Sequence, residues 1–346
     1  MGIFTATRVA CLAFALALVG LITVGTARAD STLEKVKAAG GFSCGVPTGT
    51  PGYAQPDAQG VYSGFDIDIC KALSAAIFGD PGKVKYVPLT AQQRFTALQS
   101  GEVDILSNNT TWTLTRDTDL GLNFGPVVFY DGQGFMVPKK LGVKSAKELN
   151  GATICVAPGT TTELNLADYF RATKMEYKPV VIDKVDELFS AFFSGRCDVM
   201  TGDATGLAAQ RIGRASNPDD YVVLPERISK EPLASVVRHG DDQWHDIVDW
   251  TTYALIQAEE SGITQANVDD MLKSDDPNIK RMLGVTPGMG KALGLDEKWA
   301  YNEIKMVGNY GEIFERTLGM GSPMKFERGL NGLWTKGGLL YAMPIR

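Results

Sequence analysis

The stretch Asp104–Asp117, DILSNNTTWTLTRD, restricts the possible folds more than any other part of the chain. An apolar strand end, Asp104-Ile105-Leu106, runs into Ser107, Asn108, Asn109, Thr110 and Thr111, and five residues later comes one cation, Arg116. Hydroxyls, free backbone N–H groups and a planar five-donor guanidinium at the end of a strand suit a carboxylate held bidentately away from water. Upstream, Phe42 to Val46 and Val84 to Val87 read as strands. Phe65, Ile69, Leu73 and Ile77 mark one buried face of a first helix, and Ala91 to Ser100 reads as a second, stopped by Gly101. Strand, helix, strand, helix, strand predicts a parallel α/β unit, whose strand C-termini open onto a ligand crevice. The irregular loop after the first strand, Thr48 to Tyr53, belongs to that crevice. It offers hydroxyls, Thr50 among them, and the Tyr53 ring.

A second unit of the same kind follows the extended apolar segment Val127 to Val137, which is a candidate crossing between lobes. Thr153 to Val156 reads as a strand and Thr160 with Glu163 as a capping-box spacing, which marks a helix start able to attract an anion. Further along, Asp198 to Thr201 is a strand that delivers a lone carboxylate, Asp203, to its C-terminal end. Asp203 also has the position of a helix N-cap. Pro232 to Val237 is a candidate return crossing, and Trp244 to Ala258 a long amphipathic helix. The glycine-rich part from Asp275 to Arg346 has short helical patterns and no legible function.

Residues 1–29 read as a cleaved signal peptide: Arg8, an apolar core from Val9 to Val24, and Ala27-Arg28-Ala29 before Asp30. Arg8 and Arg28 are the only charges in that segment, so its removal takes the net charge from −6 to −8. An acidic chain without a basic patch makes nucleic acid and anionic membranes poor partners, and no direct membrane insertion is expected. The remaining length, roughly 320 residues, is enough for two cored lobes. Four cysteines remain, Cys44, Cys70, Cys155 and Cys197, with no C-x-x-C pair and only two histidines. That pattern argues against zinc. In an oxidising compartment the even count suggests disulfides, and three pairings are open. Cys44 with Cys70 and Cys155 with Cys197 would place one bridge in each half, whereas four free buried thiols are the alternative.

A cation from one unit and an anion from the other suit a zwitterion. Arg116 would take an α-carboxylate, with Thr161 adding a donor from the second lobe, and Asp203 would take the α-ammonium. The segments Gly64-Phe65-Asp66-Ile67-Asp68, Thr113-Leu114-Thr115-Arg116, Gly159-Thr160-Thr161 and Cys197 to Asp203 resemble the polar amino-acid-binding proteins of bacterial ABC importers, solute-binding protein family 3. The resemblance covers about residues 32 to 260. Arg94 to Asp104, Asn109 to Thr113 and the tail from Leu333 look like the general L-amino-acid-binding subfamily.

The resemblance implies a two-lobed, type II periplasmic-binding-protein fold, with two parallel-sheet α/β lobes joined by two crossing strands. Lobe 1 would comprise 30–135 with 232–346, and lobe 2 136–231. It implies a ligand set of Arg116, Asp203, Asn109, Thr111 and Thr161, with Thr50, Tyr53 and Asn108 toward the ligand side chain. No aromatic stacking ring stands at the positions of Thr50 and its glycine neighbours, which supports broad specificity. Asn108 stands where general binders often carry arginine. The implied function is periplasmic capture of free L-amino acids for inner-membrane ABC permease subunits, without cofactor, metal or catalysis. The alternative is an exported cyclohexadienyl or arogenate dehydratase-like enzyme, with Glu163 as a candidate general acid.

Overall fold

The structure, a computed structural model, describes residues 31–346; the expected signal peptide lies outside the described residues. The chain begins with α1 (Thr32–Ala39), capped by the reciprocal Ser31 and Glu34 pair and stopped by left-handed Gly40. Strand β1 (Phe42–Val46), helix α2 (Phe65–Phe78), β2 (Val84–Pro88), α3 (Arg94–Ser100) and β3 (Ile105–Thr111) follow in the expected alternation. β1 pairs in parallel with both β2 and β3. Helix α4 (Leu114–Thr118), N-capped by the Thr113 hydroxyl, then leads into β4 (Leu122–Asp131).

The second sheet begins with β5 (Gln133–Pro138), one residue beyond β4. It continues through β6 (Thr153–Val156), α5 (Thr161–Ala172), β7 (Lys178–Val181), α6 (Val185–Phe193), β8 (Val199–Asp203), α7 (Ala204–Arg214) and β9 (Tyr221–Val223). The chain returns to the first sheet in β10 (Glu231–Arg238) and enters α8 (Asp242–Glu260). The strand orders are β2-β1-β3-β10-β4 and β9-β5-β8-β6-β7. Each sheet keeps three parallel strands, while the crossing strands join antiparallel: β10 to β3 and β4, and β5 to β8. A chain that enters a sheet from the opposite lobe arrives from the C-terminal ends of its parallel strands, so it runs against them.

Alternation along the strands places a core on both faces of each sheet. In lobe 2, Phe135, Ile154 and Val199 pack with Leu166 and Phe170 on one face, whereas Met136, Cys155 and Met200 meet Leu188, Phe192 and Leu207 on the other. In lobe 1, Cys44 and Ile105 meet α2 and α8, whereas Leu106 turns to Leu98, Val103 and Phe124. The cysteines form one bridge per lobe, Cys44–Cys70 and Cys155–Cys197, with Cα atoms 6.6 and 5.7 Å apart. By the loop-entropy model each contributes about 3 to 4 kcal/mol.

The C-terminal part forms α9 (Val268–Met271), α10 (Pro277–Met282), α11 (Met289–Leu293), α12 (Trp299–Val307) and α13 (Tyr310–Thr317), followed by an ordered tail. It packs on lobe 1. α12 lies along α2, which is why α2 buries its alanine side, Ala72, Ala75 and Ala76, as well as its apolar stripe. Arg316 reaches the buried Asp68 at 2.7 Å, so that aspartate is an ion-pair partner and not simply a helix-start residue. Tyr310 donates to the Val128 carbonyl at 2.6 Å, and the Asn331 amide holds both backbone groups of Tyr130, accepting at 2.6 Å and donating at 3.1 Å. The extension therefore braces β4 immediately before it crosses.

Candidate functional site

The ends of β3, β6 and β8, the loop after β1 and the starts of α5 and α7 converge on a cavity of about 180 Å3. Its walls come from both lobes. From lobe 1 come Thr48, Thr50, Arg94, Asn108, Asn109 and Thr111, and from lobe 2 Thr160, Thr161, Thr162 and Asp203, together with the apolar Leu188, Phe189 and Met200. The lobes also touch around the cavity. Tyr53 Oη lies 2.7 Å from Thr205 Oγ1, and the Gly49 carbonyl accepts from Gln210 at 3.2 Å and Arg214 at 2.7 Å. A Cβ added to Gly213 in α7 would stand 2.5 Å from the ring of Pro51, so this closeness depends on glycine there.

The structure brings six of the eight expected ligand residues to the cavity wall: Thr50, Asn108, Asn109, Thr111, Thr161 and Asp203. Asn109 has φ 44°, a left-handed position that asparagine tolerates better than most residues. It lies inside β3, two residues before the strand end, where the pairing with β10 shifts register. Asn108 donates its amide to the Leu89 carbonyl at 3.3 Å, which commits one of its two donors to lobe 1 itself. Asp203 directly precedes α7, yet its side chain makes no cap hydrogen bond. The carboxylate is left for the cavity. Burial, with Asp131 and Glu231 nearby, pushes its pKa well above the ordinary value, while Arg94 and Arg116 pull it down.

Two expectations are corrected. Tyr53 does not face the cavity: its ring is 1% exposed and packs edge-on against Phe65 and Phe129. The reason is Gly64, at φ 132°, where a Cβ would lie 2.2 Å from the Tyr53 carbonyl; the loop closes down onto the start of α2 and carries the ring inward. Arg116 is not itself at the wall. Its guanidinium is buried beside the Phe95 ring, 5.1 Å from the centroid, and donates to the Thr111 carbonyl at 2.8 Å, so Thr111 forms the wall at that point. It remains within electrostatic reach of Asp203 and Glu231, and burial lowers its pKa.

Sequence reasoning missed Arg94 and Glu231. Arg94 is the cation at the wall. One of its amino groups donates to the Asn108 and Asn109 carbonyls at 2.8 and 3.4 Å and to the Thr110 hydroxyl at 3.3 Å, and its Nε is buried without a partner. Its guanidinium lies 4.9 Å from the Phe95 centroid, over the ring that Arg116 also covers. Burial, then the neighbouring Arg116, pulls its pKa down to about 9, still a cation at neutral pH. At the sequence level Arg94 opens an amphipathic helix, where arginine usually faces solvent. Glu231, in the first position of β10, is 1% exposed and receives both Thr111 and Thr161 hydroxyls, at 2.6 and 2.9 Å. Thr161 is thus engaged by a carboxylate, and its hydroxyl is not the free donor expected from the sequence.

Two lobes that enclose one cavity, with charges of opposite sign contributed from either side, define a ligand-trapping protein of the two-lobed type. The chain belongs to the bacterial extracellular solute-binding proteins, family 3, whose model matches residues 42–266. It is 60% identical over 329 residues to the general L-amino acid-binding periplasmic protein AapJ of Rhizobium johnstonii, covering 94% of this chain and 96% of that one. It is 56% identical over 324 residues to the glutamate/glutamine/aspartate/asparagine-binding protein BztA of Rhodobacter capsulatus, covering 93% and 96%. Among solved structures, an ABC transporter periplasmic binding protein from Brucella ovis with glutathione bound superposes with a TM-score of 0.90 at 58% identity, covering 92% of this chain and all of that one. Among the described residues, no helix is long and apolar enough to cross a membrane.

Proposed function

We propose that this protein captures free L-amino acids of several kinds in the periplasm and delivers them to the permease of an ABC importer, after removal of residues 1–29. The observation that carries this reading is the shared cavity with Asp203 on one side and Arg94, backed by Arg116, on the other. A zwitterion needs both signs within one cavity, and each charge becomes worth more as closure excludes water. In this reading the α-ammonium meets Asp203. The α-carboxylate lies between the start of α5 and the Thr111 end of β3, in the field of Arg116. The ligand side chain extends toward Thr50, Asn108 and Arg94. Because Arg94 supplies a cation at that end, the absence of arginine at position 108 does not bar acidic side chains. Binding to both lobes favours the closed arrangement.

Glutathione is a second ligand consistent with the same grip. Its γ-glutamyl end carries a free α-ammonium and a free α-carboxylate, and the Brucella ovis relative holds it. The dehydratase reading has less support: Glu163 does not line the cavity, and its carboxylate accepts from the Gly159 amide at 3.0 Å.

The test is calorimetric titration of protein unfolded and refolded to strip ligand, with each of the twenty amino acids, with glutathione, and with prephenate and arogenate under assay. Micromolar or tighter binding of several amino acids, acidic ones included, is the expected result. Binding of only one or two would remove the broad specificity. Glutathione alone would replace the ligand class, and turnover of prephenate or arogenate would restore the enzyme.

A further inference from the structure

Glu231 is the most heavily hydrogen-bonded carboxylate near the cavity, and it does not touch the cavity. One of its oxygens accepts from Thr111 of β3 at 2.6 Å and from Thr161 of α5 at 2.9 Å. The other accepts from the Asn165 amide at 2.9 Å and from the Ser229 hydroxyl. Thr161 and Asn165 are one helical turn apart, so α5 presents both to the same point. Glu231 stands opposite Asp131 in the β4–β10 ladder of the first sheet, so we assign it to lobe 1, one residue earlier than the boundary at 232 expected from the sequence. Its contacts with Thr161 and Asn165 are consequently contacts between lobes, made by the protein alone.

We infer that Glu231 is the latch between the lobes and a positioning residue for the ligand site described above. An ionised carboxylate only accepts hydrogen bonds, so the Thr111 and Thr161 hydroxyl protons point at Glu231. With both hydroxyl protons committed to Glu231, the ligand α-carboxylate beside them is left to the free backbone N–H groups at the start of α5, so Glu231 decides which donors the ligand meets. Two hydroxyls 3.4 Å apart, one from each lobe, are set in one polarity by a single buried charge. The latch gives the ligand-free protein a closed population and lengthens the life of the closed complex. Opening must release two charge-assisted bonds, those from Thr161 and Asn165.

The latch itself is tested without any ligand. Fluorescent labels at Lys85→Cys on lobe 1 and Lys178→Cys on lobe 2 report the interlobe distance by single-molecule energy transfer. The stripped wild type should show a closed population, and Glu231→Gln should reduce the closed-to-open ratio about tenfold or more. Asn165→Ala leaves every cavity wall in place and should shift the ratio the same way, by less, so the test does not depend on the folding of the Glu231 variant. With L-glutamine as the probe, Glu231→Gln should raise the dissociation rate about tenfold while leaving the association rate within about twofold. A wild type with no closed population, or distance distributions unchanged in both variants, overturns the latch even if amino acids bind. A shifted distribution in a protein that binds no amino acid leaves the latch standing and removes the ligand assignment on which the positioning role rests.

Discussion

The two lobes share a sheet plan but do different work. Lobe 1 is braced from outside: α12 and α13 cover α2, Arg316 engages Asp68, and Asn331 and Tyr310 pin β4 just before it crosses. Inside that frame both arginines are tied to backbone carbonyls of the β3 end, so the cations are held before any ligand arrives. Among the described residues, lobe 2 has no such outer layer. It brings two helix starts and a carboxylate, Asp203, whose side chain has no cap to serve. The difference teaches that preorganisation and ligand capture are divided between the lobes: a fixed cationic wall in lobe 1, and in lobe 2 an anion, Asp203, that gains its partner when a ligand ammonium arrives.

The comparison breaks first at its charges. Arg116→Ala and Asp203→Ala should each weaken binding by two to three decades or more, because stranding one member of a buried ion pair costs about 3 to 5 kcal/mol. Their effects on the ligand-free protein should differ. Asp203→Ala removes a carboxyl that burial disfavours and should leave thermal unfolding nearly unchanged, whereas Arg116→Ala frees the Thr111 carbonyl and should lower the melting temperature. Equal melting temperatures with micromolar binding in either variant would show that the ligand pose is wrong.

The second test concerns the frame beneath the cationic wall. Asp66, buried under β3 and accepting from Ser107 at 3.1 Å, has its pKa raised by burial from 3.8 to about 7. A carboxyl with a raised folded-state pKa stabilises fully below the unfolded value and loses that contribution as pH rises through the folded one. Stability from this group should hence fall between about pH 4 and about pH 7, by at most about 4 kcal/mol at roughly 1.4 kcal/mol per pH unit. Denaturant unfolding of wild type and Asp66→Asn across that range measures it. The variant should lose this component of the slope, and parallel profiles would remove Asp66 as its source.

Arg94 sharpens the division within lobe 1. If it serves the ligand side chain, Arg94→Gln should weaken glutamate more than glutamine by about 1.5 to 3 kcal/mol, the value of a hydrogen bond to a charged group. Equal losses for the two amino acids would assign Arg94 to the common backbone end instead. The smallest expected effect is at the rim. Gly213→Ala replaces a glycine in the last turn of α7 and should stabilise the open protein by up to about 1 kcal/mol, yet its new methyl group meets Pro51 only when the lobes are shut. A higher melting temperature combined with roughly tenfold weaker binding would identify this contact as part of closure. Unchanged binding would show that the Pro51 loop yields freely.

What could be read from the residues was what local periodicity and end chemistry determine: the strand and helix alternation of both units, and the placement of Asn109, Thr111, Thr161 and Asp203 at strand and helix ends. Those features depend on neighbours a few residues away, and the C-terminal end of a parallel strand has one destination whatever the tertiary details. Contacts distant in sequence were decided only by the folded chain. Tyr53 turned inward because Gly64, eleven positions on, lets the loop close on α2. Arg94 became a wall residue and Arg116 stepped behind Thr111 because both guanidiniums compete for one ring and one strand end. Glu231 falls just outside the crossing expected from Pro232 and carries no signal until α5, some seventy positions upstream, is folded against it. A charge takes its role from what surrounds it once water is excluded, and that environment exists only in the tertiary structure.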